Sequence, residues 1–399
     1  MLATACAAPA ADTDAMAAQV RAGIDVFLAG DPSVLAGRVG LITNHTGRTA
    51  DDRSTIDALA DHPDVQLVAL FAPEHGIRGT AGPGERISAD RDERTGLPIH
   101  SLYGETRVPT AAMLSEIDVL AFDIQDIGTR YYTYVWTMAL AMQAAAEHGK
   151  RFVVLDRPNP IDGEHVQGNV LDTAYATFVG LYPVPMRHGM TAGEIARFVN
   201  GEYGFGADLH VVALEGWRRE MWFDETGLAW RPPSPNMPDL ESATHYPGTC
   251  LFEGTNLSVG RGTPIAFQQI GAPWLDAPAV AQRLAAHGLA GVRFEAVTFT
   301  PSSPGDGKYD GQETAGVRFV VTDRSVYDPV HAAIAALVEI QARHADSLAF
   351  RVAHFDRLSG TDAVRLGILA GASVEEVTSS WGSAIVAFRT RRAAYLLYE

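Results

Sequence analysis

Two cysteines in 399 residues, Cys6 and Cys250, are too few for a disulfide framework or a zinc site of the usual four-ligand kind. No apolar run reaches the roughly 20 residues that cross a bilayer, so no transmembrane segment is expected. Positive charge is also scarce: 31 lysines and arginines against 48 acids leave a formal net charge of −17. Nucleic acid and anionic membrane surfaces need basic patches, so neither is an expected partner. A small anion stays open, because one local arginine can hold it. The chain lacks the G-x-G-x-x-G of dinucleotide sites, a Walker lysine loop and an H-E-x-x-H motif, and no metal site is expected.

What is present describes a globular chain with ample core for two domains: 47% apolar and 20% charged residues. Residues 1–16 are small and apolar and read as the remnant of a secretory leader, which predicts export. Within it, Ala3-Thr4-Ala5-Cys6 resembles the end of a lipoprotein processing site, making Cys6 a candidate lipid anchor. Cys250 sits among apolar residues and reads as a buried, inert thiol. Nothing in the sequence sets the oligomeric state.

Short apolar runs at 39–42, 67–71, 99–103, 118–122, 152–155 and 209–214 alternate with helical patterns at 17–27, 55–60, 109–117, 135–148 and 191–200. That alternation predicts an α/β fold, a Rossmann-like doubly wound parallel sheet, over residues 17–243. Four prolines between Trp230 and Pro238 forbid regular structure there. Beyond them, helices at 277–286, 328–344, 362–370 and 374–396 and strands at 292–299 and 317–321 predict a smaller α/β domain, 244–399. The active site is expected in the cleft between the two.

Polar chemistry collects where the strands of the first half end, the usual ligand crevice of open parallel sheets. Pro73 stiffens the chain before Glu74 and His75, and Gly76 releases it after them. A carboxyl held there against apolar walls can serve as a general acid. Asp123 and Asp126, at the next strand end, are candidates for base, nucleophile or electrostatic partner, since glycoside hydrolysis uses two carboxylates. His75 is a further catalytic candidate. Arg130 has the planar fork suited to a carboxylate, and Tyr131 and Tyr132 offer faces for a sugar. Further binding candidates are Asn44, His45, Arg78, His188 before a helix N-terminus, and Asn236 in the proline stretch. Glu253, Asn256 and Arg261 lie in a glycine-punctuated loop that could cover the cleft from the second domain.

These strings also carry a family resemblance. Gly40-Leu41-Ile42-Thr43-Asn44-His45-Thr46-Gly47, Phe71-Ala72-Pro73-Glu74-His75-Gly76-Ile77-Arg78-Gly79, Asp123-Ile124-Gln125-Asp126-Ile127-Gly128-Thr129-Arg130-Tyr131-Tyr132 and Asp156-Arg157-Pro158-Asn159-Pro160 resemble the NamZ family of bacterial exo-β-N-acetylmuramidases. So do Pro232-Pro233-Ser234-Pro235-Asn236-Met237-Pro238 and Tyr246-Pro247-Gly248-Thr249-Cys250-Leu251-Phe252-Glu253-Gly254-Thr255-Asn256. The resemblance runs from about Val39 to Tyr398. It implies a Rossmann-like domain, a smaller C-terminal domain and an intervening cleft. It implies release of terminal N-acetylmuramic acid from the non-reducing end of peptidoglycan fragments, without a cofactor. Glu74 then matches the expected catalytic glutamate. An exo-β-N-acetylglucosaminidase and a non-catalytic binder of cell-wall sugars are the competing readings. On any of them, the loops at Asn44, Glu74, Asp123 and Asp156 should open on one edge of a single sheet.

Overall fold

The structure, a computed structural model, describes residues 19–77 and 90–399. The expected leader, the candidate anchor Cys6 and the candidate ligand Arg78 lie outside the described residues. The first half contains α1 (Gly23–Ala29), β1 (Arg38–Thr43), α2 (Thr55–Ala60), β2 (Gln66–Ala72), β3 (Asp90–Arg91), β4 (Pro98–Ser101), α3 (Ala111–Ser115) and β5 (Val119–Asp123). It continues with α4 (Tyr134–Glu147), β6 (Arg151–Leu155), a hairpin of β7 (Gln167–Val170) and β8 (Pro185–Arg187), α5 (Ala192–Glu202) and β9 (Leu209–Val212). The second half adds α6 (Leu240–Thr249), β10 (Gln269–Ala272), α7 (Ala277–Ala286), β11 (Val292–Phe299), β12 (Thr314–Val321), α8 (Pro329–His344), α9 (Val352–Ser359), α10 (Ala363–Leu369), α11 (Val374–Thr378) and α12 (Trp381–Arg392).

The main sheet has the order β3-β4-β2-β1-β5-β6-β9. Neighbours from β4 to β9 pair in parallel, and β3 runs antiparallel at the edge. From β1 the chain steps one way to β2, and from β5 the other way to β6 and β9. Right-handed crossovers therefore place α1 and α2 on one face and α3, α4 and α5 on the other. Because successive strand residues point to opposite faces, Val119 and Ala121 of β5 pack with α1 and α2, whereas Leu120 and Phe122 pack with α4. The loops at Asn44, Glu74, Asp123 and Asp156 all leave the same edge, as expected of four parallel βα units.

The second half carries an antiparallel sheet, β10-β12-β11, with α7 against β11 and β12 and α8 against α6 and α7. One apolar core joins the halves, with Tyr131 and Trp136 in the same cluster as Phe252, Phe267 and Phe319. Helix α6 runs across residue 244. Several elements differ from expectation. The helix expected at 109–117 begins at Ala111, because Thr110 caps it and leaves Pro109 outside. The helix expected at 374–396 breaks at Ser379 and Ser380 into α11 and α12. Helix α9, strand β10 and the β7–β8 hairpin were not expected from the sequence, each element being only three to eight residues long. Among the described residues, no helix is long and apolar enough to cross a membrane.

The end of the chain returns to the first sheet. Asp156, just past β6, is fully buried, and its carboxyl accepts hydrogen bonds from Thr191 Oγ1 (2.7 Å), the Gly193 N–H (2.8 Å) and the Tyr398 hydroxyl (2.6 Å). Burial still raises its pKa to about 6. The Tyr398 oxygen accepts from the Leu214 N–H, and its ring meets Trp217 edge-on. Tyr398→Phe removes one donor from the carboxyl and the acceptor of Leu214. The urea midpoint should fall by the equivalent of about 1–3 kcal/mol, the cost of buried polar groups left without partners.

Candidate active site

A cleft of about 320 Å³ opens between the two halves on the α4 side of the sheet. Glu74, Tyr103, Arg107 and Tyr131–Tyr134 line it from the first half, and Tyr246, Glu253, Arg261, His354 and Arg357 from the second.

Glu74 stands on a tight turn closed by a hydrogen bond from the Gly76 N–H to the Pro73 carbonyl. His75 inside the turn takes a left-handed conformation, φ 67°, which few residues other than glycine adopt, and Gly76 follows at φ 71°. The strained turn aims Glu74 into the cleft. There its Oε2 accepts from Thr133 Oγ1 at 2.7 Å. Thr133 is the N-cap residue of α4, yet its side chain does not cap that helix. Its hydroxyl goes to the carboxyl instead. Burial and the Glu74 carboxylate together push the Tyr103 phenol up to about 12.

The proline stretch is pinned by its carbonyls, which still accept hydrogen bonds although proline nitrogens cannot donate. Tyr134 donates to the Pro233 carbonyl (2.6 Å), and His45 Nε2 lies 2.8 Å from the Pro232 carbonyl. These contacts bring Ser234 and Asn236 to the cleft. Tyr131 donates to the Pro247 carbonyl in α6, and Tyr132 packs edge-on against Tyr134 and Tyr246. On the second half, Glu253 pairs with Arg261, and the Cys250 thiol lies 3.7 Å from Glu253 Oε2. Burial raises the thiol pKa well above its usual value, in keeping with an inert cysteine.

Of the expected site residues, the cleft gathers Glu74, His75, Tyr131, Tyr132, Asn236, Glu253 and Arg261. It does not gather the rest. Asp123, expected to be catalytic, has no exposed surface and is bonded by Arg157 (2.5 and 3.0 Å) and the Thr55 hydroxyl. Strand parity explains this: Asp123 is in phase with Val119 and Ala121, which face α1 and α2. Asp126 is buried outside the cleft wall, with Oδ2 accepting from the Gly128 N–H at 2.8 Å and, among the described residues, no hydrogen-bond partner for Oδ1. Arg130 cannot hold a substrate carboxylate as expected. It is fully buried, and its Nη1 and Nη2 donate to the carbonyls of Asn169, Val184, Leu358 and Ser359 at 2.9–3.1 Å.

The remaining described candidates are not among the cleft's lining residues either. Asn44 makes a side-chain turn, its Oδ1 accepting from the Thr46 N–H and hydroxyl. His45 is held at the Pro232 carbonyl, within electrostatic reach of the cleft-lining His75. His188 is buried, and burial with Arg392 and Arg187 nearby pushes its imidazole down to about 3. Asn256 bonds the backbone of Ser347 and Ala349. Sequence reasoning missed Thr133, Tyr103, Arg107, His354 and Arg357. Tyr103 and Arg107 follow β4 as Glu74 follows β2, so the strand-end rule that found Glu74 applied to them as well. His354 and Arg357 ride on α9, which the periodicity did not reveal.

Family models match both halves. One described as "Exo-beta-N-acetylmuramidase NamZ, N-terminal" matches residues 39–241, and its C-terminal counterpart matches residues 244–398. The chain is 45% identical over 382 residues to the peptidoglycan beta-N-acetylmuramidase NamZ of Bacillus subtilis (strain 168), spanning 95% of this chain and 92% of that one. It is similar to two crystal structures of DUF1343 family proteins from Bacteroides fragilis NCTC 9343. One has a TM-score of 0.90 at 38% identity and the other 0.77 at 32%, each covering 96% of this chain and 99% of that chain.

Two stability measurements check these assignments. Arg130→Ala leaves four carbonyls without their charged donor, two in each half, and should lower the unfolding free energy by at least about 3 kcal/mol in urea titrations. Asp126 is read by pH. Burial raises its pKa from 3.8 to about 7. A carboxyl whose folded pKa exceeds its unfolded value contributes stability below the unfolded pKa and loses it as pH climbs through the folded one. Asp126→Asn does not titrate. Between about pH 4 and 8 the wild-type urea midpoint should therefore fall relative to that of the variant.

Proposed function

We infer that this chain, which belongs to the NamZ family of exo-β-N-acetylmuramidases, releases terminal β-linked N-acetylmuramic acid from the non-reducing end of peptidoglycan fragments. It is a glycoside hydrolase. The observation that carries the reading is the match of both halves, in order, to the two NamZ domains, with the cleft between them. A leader-like start at residues 1–16 fits an exported enzyme, since its polymer lies outside the cytoplasmic membrane.

The reaction needs a proton for the leaving oxygen and a group that steers the attacking atom to the anomeric carbon. Glu74 supplies the proton as the bond from the anomeric carbon to the glycosidic oxygen breaks. Support comes from its strained turn and from the Thr133 hydroxyl that fixes one of its oxygens. With Asp123 and Asp126 outside the cleft, Glu253 is the other carboxylate among the described lining residues. Contributed by the opposite half and paired with Arg261, it accepts the hydrogen bond of the attacking group, a water or the sugar's own acetamide.

Chromogenic β-glycosides of N-acetylmuramic acid and N-acetylglucosamine test the reading. Release from the muramic compound is expected. Release from the glucosamine compound alone would move the substrate to that sugar, and none from either would leave a binding protein. Glu74→Gln keeps the shape without the titrating proton and should lower kcat by about 10²–10⁴-fold while leaving the urea midpoint in place. A well-folded variant with wild-type turnover would remove Glu74 from the mechanism.

A further inference from the structure

N-acetylmuramic acid differs from N-acetylglucosamine by a lactyl ether that carries a carboxylate. A chain of net charge −17 repels that anion at long range, so selectivity for it requires a cation inside the cleft. Among the described residues, three arginines line the cleft: Arg107, Arg261 and Arg357. Arg261 is already committed to Glu253, and the Arg357 guanidinium is bonded to His354 Nδ1. Arg107 makes no ion pair with a carboxylate among the described residues. Its guanidinium carbon lies 4.2 Å from the centre of the Phe178 ring and 5.5 Å from that of Tyr103.

Stacking occupies the flat face of a guanidinium and leaves its N–H edge for hydrogen bonds; the Tyr103 phenol oxygen takes part of that edge in Arg107, and the remainder can meet a carboxylate. Two rings also restrict a long side chain that would otherwise pay entropy to bind. Position fits as well. Tyr103 lies within the influence of both Glu74 and Arg107, so the cation stands one tyrosine away from the carboxyl that meets the glycosidic oxygen. On a muramic sugar the lactyl group is borne on a carbon close to the anomeric one.

We propose that Arg107, braced on Phe178 and Tyr103, binds the lactyl carboxylate and sets the preference for muramic over glucosamine sugars. This rests on the cleft being the muramidase site. The test compares three chromogenic glycosides: the muramic acid, its lactyl amide, and the glucosamine. Arg107→Gln should lower kcat/KM on the acid by about ten- to a hundredfold, mainly through KM, the size of one charge-assisted contact. It should leave the amide and glucosamine values within about twofold, and Arg107→Lys should restore part of the loss, because an ammonium keeps the charge without the fork. The difference should shrink with added salt, since Arg107 is exposed. An equal loss on acid and amide would overturn the proposal. So would an unchanged acid value, or a carboxylate-selective loss in Arg357→Gln or Arg261→Gln instead. Calorimetric binding of free N-acetylmuramic acid and N-acetylglucosamine separates this inference from the hydrolytic one. A protein without hydrolysis but with an Arg107-dependent preference for the acid would refute the enzyme and keep the reader. Hydrolysis with equal binding of both sugars, in wild type and Arg107→Gln alike, would do the reverse.

Discussion

A buried guanidinium holds the cleft in shape. Arg130 lies in the loop between β5 and α4, immediately before the tyrosines that form the cleft floor. Its four carbonyl partners lie two in each half: Asn169 and Val184 beside the β7–β8 hairpin, Leu358 and Ser359 at the end of α9. Because α9 also carries His354 and Arg357, the position of one cleft wall is set from the other. Gly360 completes the joint. It ends α9 in a left-handed conformation, and a Cβ there would stand 2.8 Å from Arg130 Nη2. The charge is costly to bury, and it has no carboxylate partner among the described residues. Four backbone oxygens compensate it, so its work is geometric.

The same device recurs across the loops of the first half. Arg157 holds Asp123, Arg187 holds Asp162 at 2.9 Å, and Arg219 holds Glu194 at 2.6 Å, all at strand or helix ends. In a chain short of positive charge, several arginines are thus committed inside the fold, and few remain for ligands. Asp123, a strand-end carboxylate that looks catalytic in one dimension, is the partner of one of these arginines. Glu74 escapes because its turn swings it away from the sheet edge into the cleft.

Legibility follows from this. The strand–helix alternation exposed the doubly wound parallel sheet, since each βα unit is local and strongly patterned. The placement of Glu74 was legible because a proline and a glycine bracket it. Asp123 was misassigned although the alternation of β5 already pointed it to the α1–α2 face. Arg130 was misassigned for a different reason: its partners are backbone oxygens up to 229 residues away, and carbonyls leave no mark on side-chain identity. Tyr103 was hidden because the strand read over residues 99–103 ends at Ser101, which leaves Tyr103 in the loop after it. Glu253 and Arg261 were visible as a polar, glycine-punctuated loop, but their mutual pairing was not.

The return of Tyr398 to Asp156 has a consequence for how the protein is made. The carboxyl beside β6 is made early, yet one of its four donors, the Tyr398 hydroxyl, follows 242 residues later. The Glu194 carboxyl likewise awaits the Leu397 N–H. Until Leu397 and Tyr398 have been made, the parallel sheet can assemble only with these buried acids incompletely satisfied. A chain cut before Leu397 would carry every described cleft residue and still hold its sheet in the unfinished state of a nascent one.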